Sequence, residues 1–434
     1  MLRRSLPAGD RLASKLAKGS RLTANTQAIA RAMDDIASQG SAADAAAMGA
    51  RVGISVRVTN RIEDVEAIWR SLSAAGLESP GQSYDFIRLW VTDRQIPVSA
   101  QHYVVGEVDG VPVALLPLHL KRVHGVRLYT WFPGPHAGCY APLTDVRRLQ
   151  ELGTSGRSAL WRSMIGALKG ADLVYLRSMP DRIGEAEGLF DELGKALEVE
   201  TLYRARFSSW EHCDREQRSR SRRKHDRQQG DRLAALGEVG FDVVCDLAEA
   251  HAVLDTMFAQ RSARFRAQGI RDIFVCDNIT SFYHAALDPN SGVDVRLHVL
   301  RLEGQIVAAR YNIVVGDRMF CLISSMSDCS LIQSGSPGKQ CLLRVVQSVF
   351  DEGMSVFDMG AGFTDEKRHW CNEQVPLRQH YVPLTPLGHL VMLGHSHFQR
   401  LRAWAKANAS VKSALRAAHQ LYERIRGKSR SDQL

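Results

Sequence analysis

The chain has 434 residues, 45% hydrophobic and 24% charged, the balance of a soluble globular protein with room for two or three domains. That excludes a mostly disordered, collagen-like or low-complexity chain, and no run of 18 or more apolar residues is present to cross a bilayer. The formal charge of +9 is uneven: residues 1–51, 215–232 and 398–434 carry +4, +5 and +7, so the remainder is net −7. Surplus charge therefore belongs to appendages, and the presumptive folded core is mildly acidic.

Eight cysteines lie scattered with none at Cys-x-x-Cys spacing, which points to reduced thiols rather than a secreted disulfide framework. The start, Met1-Leu-Arg-Arg-Ser-Leu-Pro, has charge but no apolar region behind it, so a cytoplasmic protein is expected. Residues 1–51, rich in Ala, Ser and Gly, read as a frayed or disordered extension.

Helices are expected over 63–75 and 84–91. Strands follow at His102–Val108 and Val111–Leu120, joined by the hairpin dipeptide Asp109-Gly110. A helix at 157–169 carries Leu160, Trp161, Met164, Ile165 and Leu168 on one face, and the strand Leu173–Leu176 succeeds it. The order then returns: strands Val295–Leu302, Ile306–Val315 and Arg318–Ser325, a helix from Pro337 to Asp351, and the strand Ser355–Asp358. Glu107-Val-Asp-Gly-Val-Pro-Val-Ala and Arg301-Leu-Glu-Gly-Gln-Ile-Val-Ala are one template used twice. Between the copies, Asp214–Arg232 reads as one long basic surface helix, steadied by pairs such as Asp214 with Arg218. The run has no aromatic to stack a base, so no nucleic-acid partner is expected there.

Ser334-Gly-Ser-Pro-Gly-Lys-Gln340 heads the second helix. Ser336 suits an N-cap and Pro337 the first helical position. Gly338 lets an anion approach, the N–H groups of Gly338, Lys339 and Gln340 are expected to point outward, and Lys339 adds a charge. This is the construction of a pyrophosphate site, and equally of a well-capped helix. It is not a Walker A loop, because Gln340 and Cys341 follow the Gly-Lys pair. His395-x-His397 lacks a Cys or carboxylate beside it, so no metal is expected, and no Gly-x-Ser-x-Gly elbow is present.

The repeat, the Ser-Pro-Gly helix opening and the strand Val356-Phe357-Asp358-Met359-Gly360 resemble the GNAT acyltransferase superfamily. More narrowly, residues 55–385 look like its CelD branch (cellulose biosynthesis proteins), similar to FemAB-type transferases. Asp358, Gly360 and Lys367 fit that pattern; the family has Tyr before the Lys, where Glu366 stands here. The resemblance implies an α/β fold of two tandem GNAT-like mixed-sheet units, 52–207 (acceptor side) and 239–385 (acyl-CoA side). A basic linking helix at 208–238 and a basic helical tail at 386–434 complete the chain. It implies acetyl-CoA or another acyl-CoA as co-substrate, its pyrophosphate on Ser336, Pro337, Gly338, Lys339 and Gln340, and its pantetheine beside Ser324, Ser325 and Met326. Asp358 is then the candidate base, with a pKa raised by burial, Tyr311 a candidate acid or substrate contact, and Lys367 a further candidate. The expected acceptor is a small molecule or glycan, in exopolysaccharide or envelope biosynthesis. The alternatives are a FemAB-like transferase using aminoacyl-tRNA, or a non-catalytic scaffold. The tail, with Leu401, Trp404, Leu415, Leu421, Tyr422 and Ile425 among Arg and Lys, reads as a docked helix or as a peripheral contact for an anionic membrane.

Overall fold

The computed structural model describes residues 53–408 apart from Pro135 and Ile270. The first half runs β1 (Ile54–Thr59), α1 (Glu66–Ser73), α2 (Tyr84–Asp93), β2 (Gln101–Val108), β3 (Val111–Val123), β4 (Val126–Thr130) and β5 (Leu143–Thr144). It continues through α3 (Val146–Glu151), α4 (Gly153–Gly166), β6 (Leu173–Pro180), the short pair β7 (Arg182–Ile183) and β8 (Ala186–Glu187), and β9 (Lys195–Arg206). Helices α5 (Trp210–Gln217) and α6 (Arg220–Ala234) lead into the second half. That half comprises β10 (Val239–Val243), α7 (Leu247–Gln268), α8 (Ile273–Cys276), α9 (Thr280–Ala285), β11 (Asp294–Leu302), β12 (Gln305–Val315) and β13 (Arg318–Met326). It closes with α10 (Pro337–Asp351), β14 (Val356–Ala361), α11 (Asp365–Trp370), β15 (Glu373–Pro383) and α12 (Pro386–Ala407).

Twelve strands make one continuous mixed sheet in the order β1-β2-β3-β4-β6-β15-β9-β14-β13-β12-β11-β10, with β5 set against β3. The repeat read from the sequence is present as β2-β3-α4-β6 against β11-β12-α10-β14, and the structure adds β4, which was not expected, as the counterpart of β13, so the tandem mixed-sheet, GNAT-like architecture is present. Both hairpins turn as their dipeptides require. Asp109 and Gly110 (φ 51° and 76°) and Glu303 and Gly304 (φ 49° and 73°) all take positive φ, the condition of a type I′ turn. In each half, β4 or β13 runs parallel to the strand that follows its helix: Leu128 pairs with Leu173, and Phe320 with Asp358.

Chain order and spatial order part company in the middle of the sheet. β9 ends the first half but pairs with β14 of the second, whereas β15, late in the chain, pairs with β6 of the first. The two exchanged strands also pair with each other. The hydrophobic core likewise crosses between halves: Phe282 of α9 lies 4.9 Å from both Phe86 and Trp90 of α2, ring centre to ring centre. Burying such a side chain contributes about 1.5–3 kcal/mol.

The basic segment departs from the expected single helix. Ser219 breaks it, because its Oγ accepts the Arg222 N–H and starts α6 afresh, leaving Arg218 extended. Nor is it wholly solvated. Arg218 pairs with Asp214 (2.6 Å) and with buried Asp226 (3.0 Å), and the Asp226 carbonyl accepts from Gln340 Nε2 (2.8 Å). The last helix, α12, docks through Met392 and Ser396 while Leu390, Phe398, Leu401 and Trp404 stay exposed. Its Gly388 is required by contact, since a Cβ there would lie 1.8 Å from the Asp172 carbonyl oxygen. The extension at 1–51 and the apolar positions from Leu415 onward lie outside the described residues. Among the described residues no helix is long and apolar enough to cross a membrane, and no cluster of three potential ligands could hold a metal. All eight cysteines are free.

Candidate active site

β13 and β14 pair at only three positions, Arg318 to Phe320 against Val356 to Asp358, and then separate. β13 continues along β12 to Met326, while β14 shifts register against β9 between Asp358 and Ala361. Gly360 makes that shift at φ 79°, where a Cβ is strained, and its N–H donates to Asp358 Oδ1 (2.8 Å). The edge of β13 from Cys321 onward is therefore free of β14. Beside it opens a cavity of about 350 Å³ lined by Phe320, Cys321, Asp358, Gly360 and Lys367, and from the first half by Glu78, His136, Arg177 and Ser178.

The floor of this cavity is a closed ion network. Arg204, carried in by the exchanged strand β9, lies 2.6 Å from Glu78 and 2.8 Å from Asp358, all three side chains being 3–5% exposed. Arg318 adds a contact to Glu78 at 3.1 Å, and the Gly184 N–H donates to the other Glu78 oxygen. Burial pushes the Glu78 carboxyl upward, but Arg204 and Arg318 outweigh it and hold the group below its ordinary pKa. Fully hydrogen-bonded charges of this kind tolerate burial; removing one partner would strand the others.

The expected site residues separate into two groups. Lys367 lines the cavity, and its Nζ donates to the Gly360 carbonyl (3.1 Å) and to that of Ala361 (2.6 Å); burial lowers its pKa, against the attraction of Asp358. Asp358 also lines it, but its two oxygens are taken by Arg204 and Gly360, so the carboxylate holds the β14 bend and is not a free base. Tyr311 is fully buried, does not line the cavity, and donates to the Tyr283 carbonyl (3.4 Å). Its apolar place on β12 makes it packing, against the expectation of an acid.

At the helix start, Ser336 does occupy the cap position, but in the left-handed region (φ 48°) and without a side-chain cap bond; its Oγ accepts from Gln229 of α6 (2.7 Å). The N–H groups of Lys339 and Gln340 turn back onto the Ser336 carbonyl (3.0 and 3.1 Å), so of the three expected outward donors only that of Gly338 lacks a backbone acceptor among the described residues. Pro337 is the first helical residue as expected. Gly338 abuts the end of β13, where an added Cβ would lie 3.0 Å from Met326 Sδ. Ser324, Ser325 and Met326 line a second space of about 230 Å³ with Arg261 and Arg264 of α7. Ser325 Oγ is buried there with no hydrogen-bond partner, and the Ser324 carbonyl accepts from Arg261 (2.7 Å). An orphan hydroxyl, an open strand edge and a helix start against that edge fit a pantetheine-phosphate ligand.

Besides Glu78, three lining residues central to the site were not singled out from the sequence. His136 sits in the cavity with Nε2 3.7 Å from Asp277; burial lowers its pKa to about 4, with Asp277 opposing, so it is a neutral imidazole. Arg177 and Arg261 are the others. The signal for Arg177 was legible, an arginine inside the apolar strand Leu173-Val-Tyr-Leu-Arg-Ser-Met-Pro180. Its neighbour Ser178 has φ 55°, opposite a register shift in β15, a bulge at the position where β14 carries Gly360.

The sequence profile of the acetyltransferase (GNAT) domain family matches residues 220–368, which span α6 to α11 and include the β13–β14 cleft and the helix start. A search of curated protein sequences finds no match. Among solved structures, FemX is 11% identical, with 76% of this chain and 98% of that one covered and a TM-score of 0.48. L-PGS from Bacillus licheniformis is 13% identical (77% and 96% covered, TM-score 0.46). A tandem GNAT protein from the clavulanic acid biosynthesis pathway is 9% identical (76% and 99% covered, TM-score 0.41).

Proposed function

We propose that the protein is an N- or O-acyltransferase that draws its acyl group from acyl-CoA, with acetyl-CoA the first candidate. The observation that carries this is the parting of β13 from β14 over a cavity, with the start of α10 against the end of β13. The profile match over 220–368 covers the same elements and supports the reading. When bound, the co-substrate supplies an activated thioester. The open β13 edge from Cys321 to Met326 aligns its pantetheine, Ser325 Oγ offers a hydrogen bond, and the Gly338 N–H with Lys339 meets the pyrophosphate.

In the cavity His136 takes the acceptor's proton. It is neutral, so it can accept, and Asp277 stabilises the imidazolium that results. Asp358 and Arg204 hold the β14 bend, and Lys367 pins the loop through the Gly360 and Ala361 carbonyls. By resemblance to the CelD branch, the proposed setting is exopolysaccharide or envelope biosynthesis with a small-molecule or glycan acceptor. The aminoacyl-tRNA alternative is less favoured, because Arg218, Arg222 and Arg223 are spent on Asp214 and Asp226. The exposed apolar face of α12, whose residues carry +3 through Arg400, Arg402 and Lys406, supports the further reading of a peripheral contact with anionic lipid. Calorimetric titration of the intact protein with acetyl-CoA tests the main reading: saturable binding at one site is expected, and no heat of binding would sink it.

A further inference from the structure

The cavity between the halves is unevenly charged. Its buried carboxylates, Glu78 and Asp358, are already matched by Arg204 and Arg318. What is left is cationic: Arg177 from β6, Arg261 from α7 and Lys367 after β14 all line it. Among the described residues, none of the three has a carboxylate within ion-pairing distance. Arg177 makes no side-chain hydrogen bond, and its Nε is buried without a partner. Arg261 gives one N–H to the Ser324 carbonyl and lies over the rings of Phe265 and Phe274 (4.9 and 5.0 Å), yet its Nε is also orphaned. Lys367 donates to two carbonyl oxygens and lies 6.0 Å from the Tyr203 ring centre.

Against these stand exposed Glu200 at the rim, neutral His136, and Asp277, whose carboxylate is shared between His136 and Arg271 (3.0 Å). Holding three partly buried cations around one space, two of them with a buried and unpartnered Nε, is costly unless something anionic enters it. A planar guanidinium with a vacant Nε edge suits an oxyanion, which it can grip with two parallel hydrogen bonds. The cations come from both halves, so an oxyanion there would bridge β6 and α7 beside His136.

We propose that the acceptor carries an oxyanion group, a phosphate or a carboxylate, gripped by Arg177 and Arg261 with Lys367 beside them, while its amine or hydroxyl faces His136. This rests on the acyl-transfer reading for the identity of the acceptor, but not for the existence of the oxyanion site. Neutral glycans and simple amines would then be poor acceptors.

The test uses the full chain saturated with CoA, so that the phosphates of CoA fill their own places, and titrates inorganic phosphate and, separately, acetate by calorimetry. Either anion is expected to bind at one site, and Arg177→Gln to weaken it at least about tenfold, the loss of one charge-assisted pair. Phosphate alone binding would assign a phosphorylated acceptor, acetate alone a carboxylate. Arg177 has no partner to lose, so Arg177→Gln is expected to fold and to melt at or above the wild-type temperature without anion. Arg177→Lys keeps the charge and should retain part of the affinity. Neither anion binding at millimolar concentration, or equal binding by Arg177→Gln, overturns the proposal. If CoA itself does not bind, the acyl-transfer reading fails separately, and the same titrations on the free protein still decide the oxyanion site.

Discussion

Arg204 Nε stands 2.8 Å from Asp358 Oδ2, and this contact ties the exchanged strand β9 to the bend of β14 that forms one wall of the cavity. Glu78, from the loop before α2, completes the grip at 2.6 Å, so the contact fixes both halves at one point. Arg204→Met leaves Glu78 and Asp358 buried without their shared partner. It should cost about 3–5 kcal/mol in urea unfolding, whereas Asp358→Asn, which keeps the size and one acceptor, should cost less. Equal stability of Arg204→Met and wild type would mean that the network does not brace the fold.

His136→Gln should lower turnover about 10²–10⁴-fold while leaving the affinity for acetyl-CoA unchanged, because the imidazole faces the acceptor space and not the helix start. Asp277→Asn should give a smaller loss. Turnover that survives His136→Gln would assign the proton to water or to Glu200.

Gly338→Ala should bind acetyl-CoA nearly as wild type does, since the Met326 thioether is a flexible neighbour that can yield. Gly338→Glu places a negative charge at the positive end of α10 and should weaken binding at least about tenfold, with the melting temperature little changed. Unchanged binding by Gly338→Glu would move the pyrophosphate elsewhere.

Three histidines, His119, His136 and His298, are each lowered by burial to about 4. Between the unfolded value of about 6.5 and about 4, the unfolded chain binds protons that the native state does not. Stability should therefore be full above pH 6.5 and fall as the pH drops through this window, with each histidine contributing up to about 3 kcal/mol by its lower end. Glu78, lowered from the carboxylate range, extends the loss to more acidic pH. Urea unfolding at a series of pH values checks this. A flat profile from pH 7 to 5 would contradict it.

Vesicles containing phosphatidylglycerol should retain the protein more than phosphatidylcholine vesicles in flotation, and Leu401→Asp with Trp404→Ser should abolish the difference. Retention by both lipids alike, or by neither, would remove the membrane reading.

Much of the fold was legible because its signals are local. Asp109-Gly110 and Glu303-Gly304 announce turns whose φ values they can adopt, and apolar periodicity marks α4 and α10. The exchange of β9 and β15 was not legible, since no residue in either strand says which half it will pair with. The site divided along the same line. The cleft and helix start follow from one segment of chain, and the profile match covers them. Asp358 looked like a free base because its partner Arg204 lies 154 positions away, and Tyr311 looked polar although β12 is buried on both faces. Glu78, His136 and Arg177 come to the cavity from the other half, and only the sheet order brings them there.

On the proposed function, acyl-CoA enters where β13 leaves β14. A crystal structure of the protein with acetyl-CoA tests it most directly. The pantetheine is expected along Cys321–Met326, the thioester beside the His136 cavity and the pyrophosphate at Gly338. Density for the ligand in any other groove, or none at saturating acetyl-CoA, would contradict it.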